Sequence, residues 1–231
     1  MSRPMKNKPS GILLINKAKG TTSFSLVRSL RKLTQVQKIG HAGTLDPLAT
    51  GVMVMLIGRQ YTRKSQDFLN KDKEYEAILF LGKTTDSYDQ EGKITASSDL
   101  VPSLAEIELA LKEFQGEVLQ TPPMFSAKKI QGKKLYELAR KGVVIERAPC
   151  KVHLKTTLLS YSYPFLSLHI ECSKGTYIRS LAHDLGQRLG CGAHLYELVR
   201  KRVGPYSLSA CVDEQDLKKP DFTIEQYVSI A

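Results

Sequence analysis

The chain has 231 residues, of which 42% are hydrophobic and 25% charged, a composition typical of a globular protein with an apolar core. Its formal net charge of +11 favours a polyanionic partner, although a solvated basic surface would give the same balance. No stretch approaches the roughly 20 apolar residues of a membrane-spanning helix, and no CxxC pair indicates a zinc site. We therefore expect a soluble, cytoplasmic protein with reduced cysteines and no membrane or metal partner.

The first elements follow a basic arm over residues 1–10. Residues 11–15 are apolar and predict a short buried strand, which leads into a loop. Thr22 or Ser23 can cap a helix, and the apolar residues that follow them lie near helical spacing.

Residues 40–51 contain three glycines and a proline, which favours a shaped loop over a regular helix or strand. The loop carries one imidazole, His41, and one carboxylate, Asp46, and the apolar run at residues 52–57 predicts a buried strand after it. An acid on a loop anchored to the core is often functional. Aspartate is also a common turn residue, and that role is the more frequent one.

The middle of the chain is less regular. Residues 59–73 are polar and basic without helix signals, whereas residues 74–81 predict a strand with Tyr75 at its start. The acids within residues 83–93 do not have the spacing of a calcium-binding loop, so we interpret this segment as a solvated turn. A helix is predicted after Pro102 and Ser103, ending at Gly116.

Residues 127–142 contain six lysines and arginines together with Tyr136. This pattern indicates an element that contacts phosphates and bases, or an exposed amphipathic helix, and one segment can be both.

Two strands are predicted at residues 150–160 and 165–172, followed by a helix from Ile178 with one buried stripe. Tyr177 and Arg179 therefore lie near a strand-to-helix junction. Without internal repeats or a clear linker, the simplest interpretation is one α+β domain over residues 1–231.

Few chemistries fit these residues taken alone. A phosphate-binding loop, a nucleophile elbow and an HExxH pair are all absent from the sequence. An arginine beside Asp46 would lower the carboxyl pKa and keep a nucleophile ionised. Tyr75 and Tyr177 could stack on a nucleobase or simply lie at the edge of the core. A histidine such as His41 more often forms a structural hydrogen bond than acts as a general base. The residues alone predict a basic α+β protein that binds RNA.

The sequence also resembles the TruB-type tRNA pseudouridine-55 synthases, and the matching blocks occur in family order along nearly the whole chain. Residues 40–51 match the catalytic loop throughout. The other blocks are residues 11–17, 72–75, 121–128 with 132–136, 172–179, and 190–195 with Leu198.

This resemblance implies a pseudouridine synthase fold, a mixed and mainly antiparallel sheet split by an active-site cleft. It implies an RNA-contacting thumb insertion at about residues 121–150 and a monomer that binds the T-arm of tRNA without metal or cofactor. The enzyme would flip uridine 55 out of the T-loop and isomerise it to pseudouridine. Asp46 would be the nucleophile, attacking either the sugar C1′ or the base C6.

The resemblance also assigns the remaining site residues. His41 would fill or support the space that the base vacates, and Tyr75 would stack on the uracil and help to remove the C5 proton. Arg179 would pair with Asp46, while Tyr177 and Leu198 would shape the uracil pocket. Lys17 would support the site or contact the RNA backbone.

Two features depart from the family pattern. Ala18 stands where many relatives have proline, and the residues after Gly204 are too few for a complete C-terminal RNA-binding domain of the PUA type. The alternative function is a tRNA-binding or tRNA-folding chaperone that keeps the fold without catalysis. The combination of Asp46, Tyr75 and Arg179 favours the enzyme, because a binding protein does not need all three.

Overall fold

The computed structural model describes residues 8–130 and 132–229, so most of the predicted basic arm lies outside the described residues. The chain falls into two compact units. The first is built from residues up to Glu74 and from Val199 onward, and the second is Tyr75–Leu198. The single domain over residues 1–231 stays a prediction.

The strands, in chain order, are β1 (Gly11–Lys17), β2 (Ile39–His41), β3 (Thr50–Ile57), β4 (Lys73–Leu81), β5 (Lys83–Thr85), β6 (Ile94–Ser97), β7 (Gly116–Gln120), β8 (Lys129–Ile130), β9 (Lys133–Lys134), β10 (Cys150–Ser162), β11 (Phe165–Cys172), β12 (Ala193–Val203), β13 (Tyr206–Ser207) and β14 (Val212–Asp213). The α-helices are α1 (Ser23–Thr34), α2 (Arg59–Arg63), α3 (Ser65–Leu69), α4 (Leu104–Leu111), α5 (Leu135–Ala139) and α6 (Ile178–Arg188).

The first unit is organised around β3, whose apolar residues are buried along almost its whole length. Strand β1 pairs with β3 antiparallel, from Gly11 opposite Ile57 to Lys17 opposite Gly51. Strand β2 also pairs with β3 antiparallel, β14 pairs with β1 in parallel, and the end of β12 pairs with β3 in parallel. The apolar runs therefore form strands as predicted, and β3 places the segment before it against the core.

Residues 59–73 differ from the sequence interpretation, because they form the two short helices α2 and α3. Tyr61 and Phe68 are buried and join the core cluster around β3. Helices this short are marginal in water, so packing of these two aromatic rings stabilises them more than intrinsic propensity does.

In the second unit, β4, β11, β10 and β7 are neighbours in that order. The β10–β11 and β10–β7 pairs are antiparallel, in agreement with the predicted strands at residues 150–160 and 165–172. Helix α4 begins with a capping box, in which Ser103 and Glu106 satisfy each other's backbone amides, and it contacts α6 and β10.

The segment predicted as the thumb contains the β8–β9 hairpin followed by α5, in the second unit. The amphipathic helix considered for residues 127–142 is thus confined to Leu135–Ala139, because a hairpin occupies its first half. Gly132 adopts a φ of 78° in the turn, a conformation that favours glycine.

Helix α6 generates one prediction about stability. Burial raises the pKa of the Asp184 carboxyl from 3.8 to about 6. The folded protein then binds this proton more tightly than the unfolded chain does, so the ionised carboxylate destabilises the fold above about pH 6. This penalty disappears below the unfolded pKa.

We therefore expect Asp184→Asn to raise the Tm at about pH 7.5 and to raise it less at about pH 4.5. Thermal melts of the exposed control Asp99→Asn should show no such difference between the two pH values. An equal gain at both pH values would contradict the assignment.

Candidate active site

Asp46 lies in the segment of residues 42–49 between β2 and β3, which we call the Asp46 loop. Its side chain is half-buried, whereas the leucines on either side, Leu45 and Leu48, are buried. The backbone N–H of Ala49 donates to the Asp46 carbonyl at 3.1 Å, which closes a turn around the acid. The loop is shorter than the predicted residues 40–51, because each end is drawn into a strand.

Residues beside Asp46 are held by the segment that enters α1. The Ser23 hydroxyl accepts a hydrogen bond from the Leu45 N–H and donates to the Leu45 carbonyl, both at 3.0 Å. The Gly20 N–H donates to the Pro47 carbonyl at 2.8 Å. Backbone groups immediately before and after the acid are therefore fixed without regular secondary structure. Thr22 caps α1, by accepting a hydrogen bond from the Ser25 N–H, which leaves the Ser23 hydroxyl available to the loop. Sequence analysis considered Ser23 only as a possible cap, because a serine at a helix start carries no sign of its tertiary partner.

Lys17 has no exposed surface. Its Nζ donates to the carbonyls of Ala18 at 2.9 Å, Thr21 at 2.7 Å and Pro47 at 3.3 Å. A side chain buried in this way is not placed to contact an RNA backbone, so of its two predicted roles the structure favours support of the Asp46 loop.

His41 ends β2 and is half-buried. Burial and the positive charge of Arg200 both lower the pKa of its imidazole, which favours the neutral ring near pH 7. Within the described residues its Nδ1 is buried without a hydrogen-bond partner. A neutral ring with an unsatisfied nitrogen is suited to face another molecule, and a satisfied structural histidine would not have this feature.

The second unit contains the other predicted site residues. Tyr75 in β4 and Leu198 in β12 are buried, and Tyr177 is a half-buried residue at the start of α6. The Gln120 side chain accepts a hydrogen bond from the Tyr177 N–H at 2.7 Å and donates to the Tyr177 carbonyl at 3.0 Å. Gln120 thus fixes the backbone at the strand-to-helix junction, a role that sequence analysis did not identify.

Arg179 is buried and forms an ion pair with Asp89, with Nη1 at 3.5 Å from Oδ2. Its guanidinium also donates to the carbonyls of Ser87 at 3.1 Å and Phe125 at 2.7 Å. These partners set the direction of the guanidinium plane. The predicted pair between Arg179 and Asp46 stays a prediction.

Asp89 corrects the sequence interpretation of residues 83–93 as a solvated turn. Its side chain is only 4% exposed, and Oδ1 accepts hydrogen bonds from the Ser87 hydroxyl at 2.6 Å and the Glu91 N–H at 3.1 Å. The adjacent Tyr88 has a positive φ of 65° and stacks on His183, with ring centroids 3.9 Å apart. A single buried acid in a polar segment has no periodic signature, so the sequence could not identify it.

The site residues thus divide between the units, with Lys17, His41 and Asp46 in the first and the other four in the second. Among the described residues, no group of three or more His, Cys, Asp or Glu side chains is arranged for a metal ion. In the same part of the chain, no helix combines the length and apolarity needed to cross a membrane.

Known proteins resemble this chain over most of its length. The family model described as "TruB family pseudouridylate synthase (N terminal domain)" matches residues 31–178. A second model, "tRNA pseudouridylate synthase B C-terminal domain", matches residues 179–227.

Curated relatives include tRNA pseudouridine synthase B of Protochlamydia amoebophila, 60% identical over 94% of this chain and 84% of the relative. The Chlamydia pneumoniae protein of that name is 59% identical over 94% of this chain and 93% of its own.

Among solved structures, a Cbf5–Nop10–Gar1 complex contains a chain that is 29% identical to this one, with a TM-score of 0.70 over 89% of this chain. This chain spans about half (53%) of that structure's chain. An archaeal box H/ACA Nop10–Cbf5 complex matches with 27% identity and a TM-score of 0.67, over 97% of this chain and 60% of its own. The predicted α+β pseudouridine synthase fold is thereby confirmed, and the chain belongs to the TruB family of pseudouridylate synthases.

Proposed function

We propose that this enzyme isomerises uridine 55 in the T-loop of tRNA to pseudouridine, with Asp46 as the nucleophile. The observation that carries the proposal is the Asp46 loop, in which the residues before and after a half-buried carboxylate are hydrogen-bonded in place. A preset nucleophile lowers the entropic part of an activation barrier. The curated relatives are named tRNA pseudouridine synthase B, and this name supplies the substrate class, which is tRNA.

The chemistry is an isomerisation, so no atom is added from another reactant. The Asp46 carboxylate attacks the flipped nucleotide, and the bond between N1 and C1′ breaks. The uracil rotates while it is held, and a bond forms between C5 and C1′. The bond between Asp46 and the nucleotide breaks, which restores the carboxylate, and the C5 proton leaves as N1 gains a proton. The enzyme must therefore hold a detached base, which requires a pocket that excludes competing water.

The other residues bind and orient the nucleotide. Tyr75 stacks on the uracil and assists loss of the C5 proton, and Tyr177 and Leu198 close the pocket. Arg179 keeps the Asp46 carboxylate ionised. His41, whose pKa is lowered by burial and by Arg200, enters the space left by the flipped base as a neutral ring.

Recognition of the T-arm is assigned to the thumb at residues 121–150. Lys129 and Lys133 are exposed on its hairpin, where cations can contact phosphates. We further propose a monomeric, cytoplasmic enzyme. In the described part of the chain the four cysteines form no disulfide, which is in keeping with a reducing compartment.

The proposal is tested with tRNA transcript that carries tritium at C5 of uridine. Isomerisation must expel that hydrogen, so the wild-type protein should release tritium without added metal, and mapping should locate the product at position 55. Binding of tRNA without release would favour the chaperone alternative.

The nucleophile assignment predicts that Asp46→Asn abolishes tritium release, because a neutral amide does not attack. Affinity for tRNA, measured by filter binding, should stay within about twofold, since phosphate contacts dominate affinity. The matched control is Asp67→Asn, an exposed acid in α3, which should retain full activity. Turnover by Asp46→Asn would contradict the assignment of Asp46 as the nucleophile.

The Arg179–Asp89 ion pair predicts a positioning effect. Asp89→Asn should lower kcat about 10- to 100-fold, because the Arg179 guanidinium loses the Asp89 carboxylate as a partner. A displacement of about 1 Å near the reacting atoms reduces a rate by about this factor. The exposed neighbour Asp86→Asn is the control and should leave kcat unchanged. Single-turnover tritium release measures both, and equal rates would show that Asp89 does not position Arg179.

The thumb predicts a salt effect. Lys133→Ala should weaken tRNA binding and reduce the slope of log affinity against log salt by about 1, as expected for one lost phosphate contact. The control is Lys151→Ala, a lysine whose charge is already paired with Glu117 at 2.8 Å. Binding titrations at several salt concentrations measure the slope, and an unchanged slope would remove Lys133 from the interface.

A further inference from the structure

Arg200, in β12, is a charged side chain in the interior of the first unit. It begins the basic run Arg200-Lys201-Arg202, but it is only 1% exposed. A guanidinium stays protonated in proteins, so burial of Arg200 is burial of a full positive charge. Such a charge costs free energy unless nearby groups compensate for it, and its retention at this position calls for a functional explanation.

The contacts of Arg200 converge on the backbone around Asp46. Its Nε donates to the Val52 carbonyl at 2.7 Å, and Nη2 donates to the Gly43 carbonyl at 3.2 Å. Gly43 lies near the start of the Asp46 loop, and Val52 lies just after its end. One planar group therefore ties together the two ends of the segment that carries the acid.

Within the described residues, the environment of Arg200 also lacks a partner of opposite charge. In the part of the chain that the structure describes, carbonyls and the Met53 sulfur, and no carboxylate, lie within hydrogen-bond distance of the guanidinium. The positive charge of Arg200 acts on His41, where it adds to burial in lowering the imidazole pKa. A net positive charge thus persists beside the loop.

We propose that Arg200 is a positioning residue for the reaction, which holds both ends of the Asp46 loop and thereby fixes the nucleophilic carboxylate. This inference rests on the proposed function. An arginine suits this role because its rigid fork directs Nε and Nη2 toward two carbonyls at once, whereas a lysine offers one flexible ammonium. Lys17 holds the Pro47 carbonyl between them, so the loop is fixed at three points.

The test compares Arg200→Met, which removes the charge and the hydrogen bonds, with Arg200→Lys, which keeps the charge. The matched control is Arg202→Met on the same strand, since Arg202 is half-exposed and pairs with Glu74 outside the Asp46 loop. Rates of tritium release and tRNA affinities are measured for the wild type and all three variants, together with the Tm of each.

Arg200→Met should lower kcat about 100-fold, the effect of a displacement of about 1 Å at the reacting group, with KM and tRNA affinity within about twofold. Arg200→Lys should recover part of kcat, and Arg202→Met should retain the wild-type rate. A proton NMR titration should show a His41 pKa that is higher in Arg200→Met than in the wild type. The His41 pKa should not change in Arg200→Lys, because this variant keeps the positive charge.

Wild-type kcat in a folded Arg200→Met, or a loss confined to tRNA binding, would overturn the inference. If Arg200→Met does not fold, Arg200→Lys decides: reduced kcat at unchanged KM supports the role, and wild-type kcat overturns it. A wild-type protein that releases no tritium would instead refute the proposed function. Activity in the wild type together with an unaffected Arg200 variant would refute only this inference.

Discussion

The first unit depends on hydrogen bonds from two buried cations to backbone carbonyls around Asp46. A segment without helix or strand leaves its peptide groups without regular partners, and these groups must be satisfied by other means when they are buried. Lys17 and Arg200 satisfy carbonyls at Pro47, Gly43 and Val52. Charged donors form stronger hydrogen bonds than neutral ones, so the loop gains rigidity where regular structure cannot provide it.

The same arrangement has an electrostatic consequence. Burying a cation beside neutral carbonyls is less favourable than burying it beside a carboxylate, since removing a charge from water costs several kcal/mol before compensation. The carbonyl dipoles around Arg200 offset part of this cost and leave its positive charge in place. A positive environment favours the ionised form of any acid nearby and disfavours the protonated form of His41, as the lowered imidazole pKa indicates. The first unit is therefore suited to a carboxylate nucleophile and a neutral histidine.

Much of this fold could be predicted from apolar patterns. The runs that became β1 and β3 and the stripe of α6 depend on local periodicity, which a sequence displays directly. The burial of Arg200 and Asp89 could not be predicted, because it depends on partners far along the chain. Charged residues are expected at the surface, and only tertiary contacts with distant residues can show that one of them is buried. The resemblance to a family identified Asp46, but it did not indicate what holds the acid in place.

The glycines of the Asp46 segment show the same dependence on distant residues. Composition explained them as conformational freedom for a loop, and Gly51 does adopt a φ of 104°. Its packing adds a second reason, because a Cβ at this position would lie 2.2 Å from the Arg200 carbonyl oxygen. Strand β12 can pair with β3 at this register only where a side chain is missing, with Arg200 opposite Gly51. Gly51 thus allows β12 to approach β3, and the Arg200 guanidinium on β12 donates a hydrogen bond to the Gly43 carbonyl. The backbone around the acid therefore depends on a residue about 150 positions later in the chain.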